Sequence, residues 1–504
     1  MMRPMQSVPP LAAGRAREQP ARSRRLASLL GAILLASMTR AAASPEPPAA
    51  ESPQSRALAE LATKGSPTGI KIVLIGIDGA TFKVLDPLLA SGRLPQLQAL
   101  IVRGAKGVLK SLPQPLSPAV WTTVVTGQEP SVHGIRDFLV VRPGAPDGKT
   151  AELVTSNDRR SLALWNLVGP FGKSAGFAGW WATWPAEPIK GWILSDRVAR
   201  SRFTEWHPGD RTHFLTFPRN LASDLRPLVV DPARPPLDEF RQLMEMTLQE
   251  MDEFLALKKP IFAHGPSVFK FSYCEQRTYE EMALKMLAQG QPDLTGVYLV
   301  ANDPVSHTFW HYYEPDKFQG VPPDAARRLG RLIPNLSVHN DRYLARLLKA
   351  VSKDSVVMVV SDHGFEASGR LPQPRPAGEY AEAFEQERAE ALAKGTVTLG
   401  QPGQHTLDGI FIAAGGPIRK GVAASGSVLD IAPTILALMG LPVPSDMKGR
   451  VLTEVLEPDF LARHPVRSIP SYQAYLRRQT IPLTARPEEE QEKLEMLRSL
   501  GYIR

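Results

Sequence analysis

Four stretches of the chain are apolar at nearly every position instead of every second one: 72–77, 296–301, 356–360 and 409–414. Runs of that length without alternation fit strands buried on both faces, the condition of a parallel sheet covered by helices. Between them the period changes. Phe82–Leu89 and Gln96–Val102 read as short helices, the second closed by Gly104 as a C-terminal cap. Ser117–Thr126, Val338–Val351 and Val428–Met439, the last stopped by Gly440, read the same way. A further helix is expected over Phe240–Leu257, where Phe240, Leu243, Met244, Met251 and Phe254 fall near one face. Strand, helix, strand in this order argues parallel pairing. The fold expected is α/β: a doubly wound, mostly parallel sheet with helices on both faces. A cap insertion is expected around 137–293, with short strands such as Gly191–Ser195, and a charged insertion around 370–404. The tail, 456–504, ends in a surface helix whose Leu494, Leu497 and Leu500 are placed to dock.

The N-terminus changes the picture of where the protein works. Arg22, Arg24 and Arg25 precede the apolar run Leu26–Met38, and small residues close it at Ala43, the three parts of a secretory signal. Residues 1–43 are therefore expected as a signal peptide, 44–67 as a Pro-rich linker, and 68–455 as the catalytic domain. The apolar run falls short of the ~20 residues of a membrane span, so no transmembrane anchor is expected after cleavage. Export to a periplasmic or secreted location follows. Ser23-Arg24-Arg25 resembles a twin-arginine signal, and the sequence leaves the export route open.

Composition then narrows the chemistry. The formal charge is +8, but residues 1–43 hold seven arginines and one glutamate, so the remainder carries 8 − 6 = +2. Bulk charge gives no argument for binding a nucleic-acid polymer. The single cysteine, Cys274, excludes an intrachain disulfide and a thiolate zinc cluster. Any metal is left to His and Asp.

Those residues gather where the strands end. Asp78 follows the first apolar run, and Asp303 and His307 follow the second, spaced so that a helix there sets both on one face. Asp362 and His363 end the third, and His405 precedes the fourth on a glycine-flanked loop. In a doubly wound sheet such positions converge on one crevice. Ser117 suits a helix N-cap with Pro118 at the first helical position, which sets its oxygen among free N–H groups that favour an anion. Three carboxylates, three imidazoles and a hydroxyl are what a two-metal hydrolase requires.

In these motifs the chain resembles the alkaline phosphatase superfamily, and within it the type I phosphodiesterase/nucleotide pyrophosphatase branch. The likeness rests on Asp78, the Ser117–Gly127 segment with His133-Gly134-Ile135 behind it, Asp303-x-x-x-His307, Ser361-Asp362-His363-Gly364, the Gln404–Ile412 element and Asp430–Leu436, all in the family's order. The resemblance implies a phosphoric ester hydrolase with two divalent ions, zinc by preference with manganese open. It puts Asp303, His307 and His405 on one ion, and Asp78, Asp362, His363 and the Ser117 hydroxyl on the other, with Ser117 as nucleophile. A small phosphate ester is the implied substrate. A phosphomonoesterase, a phosphoryl-group transferase and a non-catalytic binding protein on the same fold are the alternatives.

One departure bears on specificity. The branch often carries asparagine three residues after the nucleophile, and here that position is Val120, which leaves mono- versus diester preference open. Trp181 and Trp184 are candidates for a stacking wall against a base or aryl group, with core packing as the other reading. His133 and His311 are expected to be structural. Oligomeric state is not legible in the sequence.

Overall fold

A computed structural model describes residues 53–141, 151–199, 214–258, 264–371 and 401–481, together with Leu494 and Leu497. The expected signal peptide, most of the 370–404 insertion and Leu500 lie outside the described residues.

A nine-stranded sheet carries the site. In chain order its strands are β1 (Ile72–Ile77), β2 (Gly104–Lys110), β3 (Ala175–Ala178), β4 (Gly191–Leu194), β5 (Thr216–Phe217), β6 (Leu294–Leu299), β7 (Val356–Val360), β8 (Asp408–Ala414) and β9 (Val422–Ser427). Across the sheet the order is β9-β2-β8-β7-β1-β6-β3-β4-β5. The central block β7-β1-β6-β3-β4 is parallel throughout. The strand β8 runs antiparallel to both of its neighbours, and β5 is antiparallel to β4. The sheet is thus mixed and mostly parallel, as the apolar runs predict.

Both faces are buried, which accounts for runs without alternation. On β1, Ile72 and Leu74 point into one core with Trp121, Val124 and Ile435. Val73, Ile75 and Ile77 point into the other, with Phe269, Phe309 and Leu336. The first face receives the helix Ser117–Thr126 and the second the helices Gly265–Gln289, Asn302–Tyr313 and Leu332–Ala350.

Several elements differ from the sequence reading. Gly104 opens β2 and does not cap the helix before it, whose C-cap is Arg103; the strand escapes a periodicity search because glycines interrupt it. Those glycines are needed for approach: a Cβ on Gly107 would come within 1.9 Å of the Ala424 carbonyl oxygen. The expected helix over 240–257 is two, Leu237–Leu243 and Leu248–Ala256, because Met244 is extended and Thr247 with Glu250 makes a capping box that restarts the chain. The stretch expected as a linker contains the helix Pro53–Lys64, which buries Leu61 completely against the first core. Leu497 is buried in the first core and Leu494 packs against the same core. Among the described residues no helix is long and apolar enough to cross a membrane.

Candidate active site

The parallel block delivers its acidic residues to one place. Asp78 follows β1, Asp303 stands in the first turn of the helix after β6, and Asp362 and His363 follow β7. All of them are buried, at 1%, 4%, 0% and 0% exposure, and so is His307 at 0%. The turn after Asp78 is tied to the β7 end: Gly79 N donates to Asp362 Oδ1 at 3.1 Å and Ala80 N to Ser361 Oγ at 2.9 Å. Gly79 has a φ of +65°, and a Cβ there would lie 2.4 Å from the Phe365 ring, so only glycine fits.

His405 is not on a loop. It lies in the strand Gly403–Thr406, which pairs antiparallel with Gly364–Ala367 so that His405 faces Phe365. This ribbon folds the histidine back over the sheet end. The Phe365 ring then supports all three imidazoles, with centroids 4.8, 5.5 and 5.0 Å from His307, His363 and His405.

Each imidazole is oriented by a backbone carbonyl. Nδ1 of His307 lies 2.9 Å from Gly403 O, that of His405 3.1 Å from Pro115 O, and that of His363 3.2 Å from Gly364 O. A proton on Nδ1 leaves the Nε2 lone pair free, the arrangement of a metal ligand. The three Nε2 atoms converge accordingly. His307 Nε2 is 2.8 Å from His405 Nε2 and 3.3 Å from Asp303 Oδ1, while His405 Nε2 is 3.0 Å from the same oxygen. His363 Nε2 is 3.3 Å from Asp362 Oδ2 and 3.4 Å from Asp78 Oδ1.

Two sets therefore have ligand atoms within 4.8 Å of one another: Asp78, Asp362 and His363, and Asp303, His363 and His405. His307 joins the second through the distances above. Asp362 Oδ2 and His363 Nε2 are buried with no hydrogen-bond partner among the described residues. Such orphaned atoms fit a bound cation.

The charges agree. Burial, reinforced by repulsion from Asp362 and Asp303, pushes the Asp78 carboxyl well above the usual range. Burial likewise lifts Asp362 to about 7. Asp303, despite its burial, is held well below the usual range by His307 and His405. Crowded carboxylates of this kind are relieved by divalent cations, the largest local charges such a site can hold.

Ser117 joins the set from the other core face. It is the first residue of its helix, with Leu116 as N-cap, and its side chain does not cap as expected; Oγ instead lies 3.5 Å from Asp78 Oδ1. Pro118 occupies the second helical position. Helical spacing sets Trp121 on the same face, and its Nε1 donates to Asp78 Oδ2 at 3.3 Å.

Residues without a sequence signal support the candidate ligands from behind. Tyr298, on β6, donates its hydroxyl to Asp78 Oδ2 and accepts from Trp181 Nε1 at 2.9 Å. Gln276 Oε1 accepts from Ala301 N at 2.9 Å and Asn340 Nδ2 donates to Asn302 Oδ1 at 2.8 Å, which fixes the start of the helix bearing Asp303. Replacing Tyr298 with phenylalanine is expected to weaken metal binding roughly 10- to 100-fold, the usual cost of losing an outer partner. Competition with a fluorescent chelator measures it, and an unchanged affinity would show that Trp121 and Ser117 suffice to hold Asp78.

The remaining candidates are structural. Trp181 packs edge-on against Phe138 at 5.4 Å, and the Arg197 guanidinium covers the Trp184 ring at 3.8 Å, both rings being buried. Packing occupies the two tryptophans considered for a stacking wall. His133 Nε2 meets Thr123 Oγ1 at 3.0 Å and its Nδ1 accepts from Ile135 N at 3.2 Å, while burial lowers its pKa to about 3. His311 is buried against Tyr312, with centroids 3.8 Å apart, and joins neither ligand set.

Residues 72–403 match the family described as type I phosphodiesterase / nucleotide pyrophosphatase. Among curated proteins, the 2,3-bisphosphoglycerate-independent phosphoglycerate mutase of Cellvibrio japonicus is 39% identical over 118 residues, 22% of this chain and 17% of the mutase. That of Rhodopirellula baltica is 37% identical over 112 residues, 22% of this chain and 19% of the mutase. The chain thus spans about a fifth or less of those relatives' length. Among solved structures, the alkaline phosphatase PafA is similar over 77% of this chain and 99% of its own, at 12% identity and a TM-score of 0.49. Human ectonucleotide pyrophosphatase / phosphodiesterase 5 is similar over 77% and 99%, at 13% identity and a TM-score of 0.41.

Proposed function

We propose, for a chain that belongs to the type I phosphodiesterase / nucleotide pyrophosphatase family of metal-dependent phosphoric ester hydrolases, that it cleaves phosphoric diesters or pyrophosphates through a phosphoseryl intermediate. The observation that carries this reading is the meeting of Ser117 Oγ with Asp78 at the edge of two ligand sets that share His363. Asp303, His307 and His405 would hold one ion, and Asp78, Asp362, His363 and the Ser117 hydroxyl the other. Two divalent ions at such a site lower the pKa of a hydroxyl or water and neutralise phosphoryl oxygens. Zinc suits imidazole and carboxylate donors, and manganese is the alternative.

The chain's own residues then have defined tasks. Ser117 Oγ attacks phosphorus from the positive end of its helix, where the dipole favours the negative charge that develops. The Oγ–P bond forms as the ester P–O bond breaks, and the serine proton reaches the departing oxygen by way of solvent. Water next attacks the phosphoserine, breaks the Oγ–P bond and returns a proton to Ser117. The net reaction hydrolyses one P–O bond.

Purified protein with zinc is expected to hydrolyse a bis-aryl phosphate or a nucleotide diester faster than the matching monoester. A strong monoester preference would move the assignment to a phosphatase, the outcome left open by Val120. Transfer to an acceptor other than water is the second reading, favoured by the local likeness to phosphoglycerate mutases. Product analysis with and without added alcohols separates the two, since a transferase would release negligible product without acceptor. Export is part of the proposal, on the basic, apolar and small-residue order of residues 22–43. Recovery of the protein only from the cytoplasm, with residue 1 retained, would refute it.

A further inference from the structure

Away from the metal-ligand cluster, a cleft of about 230 Å³ opens between the helices Leu237–Leu243, Gly265–Gln289 and Leu332–Ala350. None of the metal-ligand candidates lines it. Its carboxylates are already matched from within. Arg277 donates to Glu239 at 2.8 Å and to Glu280 at 2.6 Å, His339 Nε2 lies 3.0 Å from Glu280, and the Tyr273 hydroxyl donates to Glu239 at 2.6 Å. Arg346 forks onto Glu281 at 2.6 and 2.8 Å. Two more arginines line the cleft with neutral partners only, among the described residues. Arg93 donates to Asn335 Oδ1 at 2.7 Å and Arg342 to Gln242 Oε1 at 3.3 Å. Four guanidinium groups thus stand against three carboxylates.

A second observation points to a ligand. Tyr343 lines the same cleft at 2% exposure, and its hydroxyl is buried with no hydrogen-bond partner among the described residues. A buried hydroxyl left unpaired is destabilising, and native structures rarely leave one so. Tyr343 also lines the small apolar cavity behind the cleft, so its side chain stands in the wall between the two.

We propose that this cleft is a second, non-catalytic anion site for a compact phosphate-class ligand, with Arg93 and Arg342 as charged donors and the Tyr343 hydroxyl as the buried one. Guanidinium forks match tetrahedral oxyanions. The cleft is smaller than the ~300–1,000 Å³ of pockets for larger organic ligands, which favours phosphate or a small phosphomonoester. The ligand accepts hydrogen bonds only, so no proton or bond changes hands.

Calorimetric titration of the metal-loaded full chain with inorganic phosphate, and separately with methylphosphonate as a stable monoester mimic, tests the site. Two binding events are expected, one at the metal cluster and one in the cleft. Arg93→Ala combined with Arg342→Ala is expected to weaken one event about tenfold or more and leave the other in place. Tighter methylphosphonate than phosphate binding in that event identifies a monoester as the ligand, and the reverse identifies free phosphate. Tyr343→Phe is expected to weaken the same event while the melting temperature in phosphate-free buffer stays level or rises. An isotherm unchanged by the arginine pair, or a single event that survives it, overturns the site. A lowered melting temperature with an unchanged isotherm in Tyr343→Phe makes the hydroxyl structural and overturns its role.

Discussion

Ser117→Ala is expected to reduce hydrolysis of diester and monoester substrates alike by roughly 10³-fold or more, the scale on which removal of a covalent nucleophile is felt. The side chain is 2% exposed in the first turn of its helix, so the change removes one oxygen from a packed site and little else. The helix does not depend on it, because the Ser117 side chain makes no cap and its neighbours Val120, Trp121 and Val124 are fully buried. Fold and melting behaviour should therefore survive, and the loss should fall on kcat. Asp78 keeps its bonds from Tyr298 and Trp121, so metal content should fall little. Substantial activity remaining in this variant would overturn the covalent mechanism and leave a directly activated water in its place.

The second large effect separates the two ligand sets. In Asp362→Asn the amide oxygen can still accept from Gly79 N, now at 3.1 Å, so the turn that carries Asp78 stays tied. The charge is lost. Because Asp362 Oδ2 is buried without a hydrogen-bond partner among the described residues, its charge has its main use toward a cation. The variant should lose the ion beside Ser117 and, with it, nearly all activity. His405→Ala should release the other ion, since Nε2 of His405 stands between Asp303 and His307 at 3.0 and 2.8 Å. Elemental analysis of the wild-type chain should find about two ions, the number a paired-metal mechanism needs, and about one in each variant. Metal content and activity unchanged in both would sink the ligand assignment.

Most of the candidate site was legible because its residues sit at ends of strands that declare themselves. A strand buried on both faces has to be apolar throughout, so Asp78, Asp303 and Asp362 stand out as the first charges after such runs. His405 was legible as a ligand candidate but not as a strand residue, since Gly403–Thr406 is polar and, among the described residues, pairs only with the short Gly364–Ala367 segment. The direction of β8 was equally hidden. Antiparallel and parallel strands in a covered sheet bury the same residues, and their hydrogen bonds go to partners far along the chain.

The sequence by itself determined the α/β class, the candidate ligand residues and the serine helix, because each depends on local order: apolar runs, i to i+4 spacing and a proline early in a helix. Only the tertiary structure decided how the candidate ligands are held. Tyr298 and Trp121 meet at Asp78 from β6 and the serine helix, Gly403 and Pro115 carbonyls orient His307 and His405, and Phe365 supports three imidazoles. It also decided that Trp181 serves Tyr298 and the core, and that Arg93 and Arg342 face one cleft. These contacts join residues as much as 290 positions apart. No local pattern carries such information, because a hydrogen bond or a ring contact is set by where folded segments cross and not by what lies next to them in the chain.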